Sequence, residues 1–357
     1  MTSFFVGTYP PDGLGTPAGR GEGVWRGEIG ADRVVSAAQI TAEPAPSFAV
    51  MHPRAPLLYA VEETEPTVLA VWDVGALPRE VARVDVGGSQ GCHLVMAPDG
   101  ATVYVCHYGT GEVSVVPVAL DGTPQSTTPA QTLAHHGAGP RSDRQEGPHA
   151  HCAVFAPGGR HLLVADLGTD ELRRYTVGAD GLLYEPGIAA ALPPGSGPRH
   201  LAVRGNLIYV VCELDHRLRT LRWEGESATA DVIAEHPTTL APRRTGDAVY
   251  DAHVDLVNRD SGDVLLVSVR GADVISVFDV APEGELTYRA AFDAGHWPRH
   301  FAVVGEHVLV GAERGHEVRA FALADVVALP PESESGAIAQ LPYTSAAVTS
   351  PACIVAA

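Results

Sequence analysis

The sequence predicts an all-β fold: a seven-bladed β-propeller of four-stranded antiparallel blades, closed where the two ends of the chain meet. Three observations carry this expectation. A cassette of two short apolar runs around a turn recurs about every 45–60 residues. The runs are too short for helices and rich in Val, Leu, Ala and Tyr. Each end of the chain also supplies a strand-like run that has no partner of its own.

In chain order, the N-terminal runs 2–10 and 23–29 are strand-like without making a complete blade. Six cassettes follow at 45–64, 91–109, 149–168, 197–215, 251–271 and 297–315. Inside them Pro98-Asp99-Gly100, Pro157-Gly158-Gly159 and Arg204-Gly205-Asn206 are turn signals, so each cassette reads as a β-hairpin. Partly alternating runs follow at 111–122, 170–181, 272–284 and 316–323, as half-exposed outer strands should, and the first three end in a Gly turn. Four antiparallel strands per repeat make a propeller blade. The last run, 350–357, joined to the N-terminal strand around Phe4–Thr8, completes a seventh blade, and 1–357 reads as one domain. Segments 123–148 and 330–336 read as low-complexity connections; the first is long for a structureless loop, which points to function or mobility.

Composition narrows the chemistry. All 24 basic residues are Arg, against 43 acidic residues and a net charge of −19. A Schiff-base or P-loop Lys is therefore excluded, and general affinity for nucleic acid or an anionic membrane surface is not expected. An anionic substrate would need local Arg clusters. No apolar run approaches the ~18 residues of a membrane span. The start lacks the basic and apolar regions of a secretory signal, and five scattered Cys without CxxC spacing fit reduced thiols, so a cytoplasmic location is expected.

Antiparallel geometry also locates a candidate site. The start of a blade's first strand and the end of its second lie at one face of the disc, near the axis. First-strand starts contribute His93, His149, His151, Arg199, His200, His253, Arg299 and His300; second-strand ends contribute Glu62, Glu63, His107, Tyr108, Asp166, Glu213, Arg270, Glu313 and Arg314. One channel mouth is thus crowded with titratable groups, the usual mark of catalysis. Hydrogen bonding to the next blade is the plainer reading of His93, His107, His200, His253 and His300. The spacing of His149 and His151 allows a metal pair, but no third ligand is signalled. Arg199 and Arg299 share a Pro-Arg-His triplet, which suits an anion or a structural ion pair. No GxSxG, GxGxxG or HExxH motif is present.

The segments QEGPHAH (145–151), VADLG (164–168), GPRHLAV (197–203), VCELD (211–215), VSVRG (267–271) and PRHFAV (298–303) together resemble the bacterial lactonase propeller family. Its name-giving member is the cycloisomerase-type 6-phosphogluconolactonase, and fungal carboxy-muconate cycloisomerase is a relative. The resemblance implies a site of one His, two Arg and one Glu, which fall on His151, Arg199, Glu213 and Arg270. The chain departs from the family pattern where Asn is usual, at Cys212, Val269 and Ala312. It also departs at His253-Val254-Asp255, where Glu-Ile-His is usual, and at Glu313, where Gln is usual. These changes bear on the sugar-binding part of the pocket.

The expected function is hydrolysis of a sugar lactone, 6-phosphogluconolactone-like, by acid–base catalysis with no metal or other cofactor. His151 would deprotonate water, Glu213 would orient His151 or protonate the leaving alkoxide, and Arg199 and Arg270 would hold the anionic group and the oxyanion. His149, Arg299, His93 and His200 are the expected substrate-binding residues, and the expected partner is a small anionic or sugar lactone. The alternatives are a muconate-type cycloisomerase, a metal-dependent lactonase built on Glu63, Asp166 and Glu213, and a non-catalytic binding propeller.

Overall fold

The computed structural model describes residues 2–11, 18–30, 35–41, 45–244, 246, 248–332 and 336–357. Its strands form seven sheets of four antiparallel strands, one of which carries a short fifth strand. Numbered along the chain and written from the axis outwards, blade 1 is Pro46–Met51, Leu57–Glu62, Thr67–Asp73 and Arg79–Gly87. Blade 2 is Gly91–Met96, Thr102–His107, Val113–Pro117 and Gln131–Leu133, and blade 3 is Ala150–Phe155, His161–Asp166, Glu171–Val177 and Leu183–Ala191. Blade 4 is Pro198–Arg204, Leu207–Cys212, Arg217–Glu224 and Thr229–Pro237. Blade 5 is Tyr250–Val257, Val264–Arg270, Val274–Val280 and Leu286–Asp293, with Ile338–Ala339 added in parallel. Blade 6 is Pro298–Val304, His307–Ala312, Glu317–Ala322 and Tyr343–Ala347.

Blade 7 takes its innermost strand, Pro351–Ala356, from one end of the chain and Thr2–Thr8, Val24–Ile29 and Val35–Gln39 from the other. The expected closure is present: Phe4 pairs with Ala356 and Gly7 with Cys353, and the Tyr9 amide donates to the Ser350 carbonyl at 2.7 Å. One expectation is corrected. Segment 123–148 is not wholly a connection, because Gln131–Leu133 pairs with Val113–Val115 as the outer strand of blade 2. Three residues of marginal apolarity gave no strand signal.

Apolar content is placed between blades. Seven clusters of buried residues each join two neighbours, from Tyr59 and Val105 between blades 1 and 2 round to Phe5 and Leu58 between blades 7 and 1. Second strands are therefore buried throughout, as in Leu57–Glu62 and Thr102–His107. The outer strands are mostly exposed. The Gly turns read from the sequence also act as acceptors. Tyr104 Oη donates to the Gly181 carbonyl at 2.8 Å and Tyr209 Oη to Gly284 at 3.0 Å, and Tyr59 reaches Gly122 in the same way. Each tether runs from one blade to the next. The glycines sit at φ +83°, +76° and +92° (Gly122, Gly181, Gly284), where a side chain would be strained.

The innermost strands share one irregularity. At the start of each, one extra residue opposes its partner strand, a β-bulge. Ser47, Cys92, His151, Arg199, Arg299 and Ala352 are the extra residues in six blades, and in blade 5 Ala252 and His253 stand against Ser268. Strict alternation would send consecutive side chains to opposite faces; the bulge lets two in a row approach the axis.

The deeper residue of each such pair helps to fill the centre of the disc. Phe48 lies 4.2 Å from His93 and 5.6 Å from His300, ring centre to ring centre; His253 stacks on His300 at 4.0 Å and meets His200 at 5.0 Å. His200 Nδ1 and His253 Nδ1 are 2.7 Å apart. Burial, with Arg199 adding to it, pushes His93 and His300 down to about 3, and His200 and His253 go well below 6.5 for the same reasons. These imidazoles are neutral at physiological pH.

Two outcomes follow from this architecture. Deleting residues 350–357 removes the innermost strand of blade 7, and the melting temperature should fall by well over ~10 °C, at about 2–4 °C per kcal/mol for a chain of this size; unchanged cooperative unfolding would refute closure by the two ends. The axial histidines bind protons only when unfolded, so stability is complete above pH ~6.5 and declines as pH falls towards their folded values. The slope approaches ~1.4 kcal/mol per pH unit for each imidazole. Melts at a series of pH values between 7.5 and ~4.5 check this; a flat profile would mean that the axis already holds protons.

Candidate functional site

The strand starts and strand ends surround a cavity of about 510 Å³ at one mouth of the channel. His151, Arg199, Glu213 and Arg270 all line it, together with His149, Arg299, Glu63, Glu313 and Arg314. Tyr9, Tyr108, Tyr250 and Trp297 supply aromatic walls.

Glu213, at the end of the second strand of blade 4, is the electrostatic centre. Its Oε2 accepts from Arg199 Nε at 3.0 Å and Arg270 Nη2 at 2.7 Å, and its Oε1 from Arg144 Nη2 at 2.6 Å. The carboxylate is 4 % exposed. Burial alone would raise its pKa, but Arg270, Arg144 and Arg199 outweigh burial and hold it well below the usual carboxylate range. Glu213 therefore stays ionised and has no proton to give to a leaving alkoxide, which corrects that part of the expectation. Arg199 is pushed down to about 9 by burial and then by the Arg270 charge, with Glu213 opposing.

The two arginines are aimed by the backbone as well. Arg270 donates from Nη2 to the Asp251 carbonyl at 3.0 Å and from Nε to Tyr250 O at 3.3 Å, and Arg199 donates from Nη1 to Ala252 O. Arg199 Nη2 and Arg270 Nη1 make no hydrogen bond to the described residues. Asp170 pins the loops that carry this cluster. It accepts from the Gly195 and Gly197 amides at 2.6 and 2.7 Å, just ahead of Arg199, and from Gln145 Nε2 at 2.7 Å, beside Arg144.

His151 is the bulge residue of blade 3. Burial and the charge of Arg199 drop it well below 6.5, with Glu213 opposing. Its Nδ1 faces Cys92 Sγ at 3.9 Å. His149 is held apart from it: its ring stacks on Tyr108 at 4.4 Å, and Nδ1 donates to the Tyr108 carbonyl at 2.6 Å. No three His, Cys, Asp or Glu side chains among the described residues are arranged to hold a metal. Asp166, a member of the alternative metal set, instead accepts from the His149 and Thr169 amides at 3.0 and 2.9 Å and does not line the cavity.

Some expected positions fall elsewhere. His93 and His200, expected to bind substrate, lie beneath the cavity floor, because each is the deeper residue of its bulge; His93 instead meets the Ala153 amide, and His200 meets His253. His107 is bound between Thr67 and Ser114 at 3.1 and 2.9 Å, and Glu62 takes Arg83 at 3.0 Å within blade 1. Cys212, Val269 and Ala312, where the resemblance leads one to expect Asn, are fully buried and do not line the cavity. Arg299 does line it, bound to Glu313 at 3.1 Å over the face of Tyr9.

The sequence reading missed Arg144, Tyr250, Trp297 and Cys92. Arg144 sits in the long segment already suspected of function, but nothing in its neighbours singles it out. Cys92 is legible only through the bulge.

The family described as "Lactonase, 7-bladed beta-propeller" matches residues 3–355. A 6-phosphogluconolactonase from Bacillus subtilis is 29 % identical, covering 99 % of this chain and 98 % of its own length. The solved periplasmic gluconolactonase of Pseudomonas aeruginosa superposes with a TM-score of 0.80 at 26 % identity over 99 % of this chain and 98 % of that one. A protein from Lactobacillus plantarum gives 0.83 at 22 % identity over 100 % of this chain and 99 % of that one, a likeness of fold alone.

Replacing Glu213 with Gln leaves three guanidinium groups facing an uncharged side chain. The variant should lose about 3–5 kcal/mol, the usual cost of breaking a buried ion pair. Denaturant midpoints of parent and variant measure it, and equal midpoints would show that the carboxylate does not compensate these cations.

Proposed function

Because the chain belongs to the seven-bladed β-propeller lactonase family, we propose that it is a carboxylic-ester hydrolase that opens a sugar lactone. The observation that carries this reading is a neutral imidazole, His151, lining the same cavity as two arginines that share one carboxylate.

A hydrolase of this kind must activate water, stabilise an oxyanion and release an alkoxide. His151, neutral at working pH, takes the proton from water; with Nδ1 turned towards Cys92, Nε2 is the accepting atom. Arg199 Nη2 and Arg270 Nη1, left over from the Glu213 clamp, receive the carbonyl oxygen as its charge develops. Glu213 holds both guanidinium groups in place before substrate arrives, so no reorganisation accompanies the reaction. The aromatic walls suit the faces of a compact ring. Arg144 and Arg314 are more exposed than Arg199 and Arg270, and they are the cations a distal phosphate would meet first. A phosphorylated aldonolactone is therefore the preferred substrate, acting in a reducing, cytoplasmic compartment that suits five free cysteines. Tyr59, Tyr104 and Tyr209 are fully buried, and among the described aromatics only Tyr184 and Tyr343 are nearly half exposed, which leaves little for a scaffolding surface. No helix among the described residues is long and apolar enough to cross a membrane.

The test is a panel of phosphorylated and plain aldonolactones, read by acid release against the spontaneous rate. His151→Ala should lower kcat roughly 10²–10⁴-fold with little change in KM. Arg199→Ala should lower kcat and kcat/KM together, and Arg199→Lys should recover only part of the loss because an ammonium lacks the planar fork that binds Glu213 and the carbonyl oxygen at once. Arg144→Gln should raise KM more for phosphorylated than for plain lactones. The acid limb of kcat/KM should lie well below pH 6.5, the direction in which His151 is shifted. Normal turnover in His151→Ala on a confirmed lactone would overturn the assignment.

A further inference from the structure

With Glu213 unable to deliver a proton, the leaving oxygen needs another donor. Glu63, at the end of blade 1's second strand, lines the same cavity and is 8 % exposed. Its Oε1 is buried without a hydrogen-bond partner. Arg299, the cation that acts on it most strongly, is already bound to Glu313 at 3.1 Å, so Glu63 is a buried carboxyl of the cavity with no ion pair of its own among the described residues. Glu63 also borders a second, water-sized void of about 10 Å³ beneath the floor, lined as well by His151, Ser47, Cys92 and Arg199.

We infer that Glu63 is the general acid of the reaction, holding the proton that passes to the leaving ring oxygen. This rests on the lactonase reading given above. Burial lifts the Glu63 carboxyl above its ordinary value, with Arg299 opposing incompletely. Glu213 is driven the other way, and two carboxyls pushed apart by their surroundings are the usual sign of divided acid and charge-holding roles.

The step balances without a further reactant. Water gives one proton to His151 while its oxygen bonds to the carbonyl carbon, forming the tetrahedral oxyanion. Collapse breaks the bond from that carbon to the ring oxygen, which takes the Glu63 proton and becomes a hydroxyl. The enzyme then holds protonated His151 and ionised Glu63. A proton passing from one to the other through the void they both border restores the starting state. The new carboxylic acid loses its own proton to solvent, so the net products are a hydroxy-carboxylate and one proton.

The experiment compares Glu63→Gln with the parent on a lactone found in the panel and on the thiolactone of the same acid, whose thiolate leaves without protonation. The variant should lose roughly 10²–10⁴-fold in kcat on the lactone and less than about tenfold on the thiolactone, with KM little changed. Equal losses on the two substrates, or none on the lactone, would overturn the inference. If the parent opens no lactone, the functional reading fails by itself. The assignment of the proton is then judged by infrared difference spectra of the ligand-free parent and Glu63→Gln at neutral pH. A protonated-carboxyl band present only in the parent supports it, and no such band refutes it.

Discussion

One extra residue at the start of each innermost strand is the constraint on which the site depends. An ideal ladder lets every second side chain reach the axis; the bulge turns two consecutive residues towards it. Arg199 can thus line the cavity while His200, its neighbour, packs beneath the floor. The same holds for Arg299 and His300 and for Cys92 and His93. In these three pairs the upper residue lines the cavity and the lower one packs beneath it. Six of the extra residues, Ser47, Cys92, His151, Arg199, Arg299 and Ala352, together line the small void at the floor.

The charge balance of the cavity follows from this placement. Three arginines converge on Glu213 and a fourth on Glu313. In a protein of net charge −19 this is a local reversal, built by bringing Arg from blades 4, 5 and 6 and from one loop to a single mouth. Two of the guanidinium groups are almost wholly buried, so their attraction for an anion is little screened. Partners of low exposure hold them still, so their positions are set before any anion arrives.

Much of this was legible in the sequence. The cassette and its turns carry the blade count because apolar faces between blades require the same short runs each time. Ring closure was legible because 2–10 and 350–357 each lacked a partner. Antiparallel geometry located the mouth, since it depends only on which strand end is meant. The depth of each side chain was not legible. His93 and His200 read like His151, because a bulge changes register without changing composition. Gln131–Leu133 was missed because an outer strand of three residues needs little apolarity. Arg144 reaches Glu213 through a loop whose course depends on Gln145 meeting Asp170, 25 residues further along the chain. The departures at Cys212, Val269 and Ala312 fall on buried side chains outside the cavity lining, a difference of depth that composition does not carry.

The stack of Phe48 with four imidazoles has a further consequence for traffic. A propeller is a ring, and a ring offers a passage from one face to the other. Here the passage is stoppered by side chains from blades 1, 2, 4, 5 and 6. Among the described residues the cavity is therefore a cup open to one face, so that a ligand enters and leaves by the same side. A chain-like polymer cannot be threaded through the disc, and the occupant is limited to what about 510 Å³ admits from one side. The far face of the disc is released from any part in the exchange of ligands.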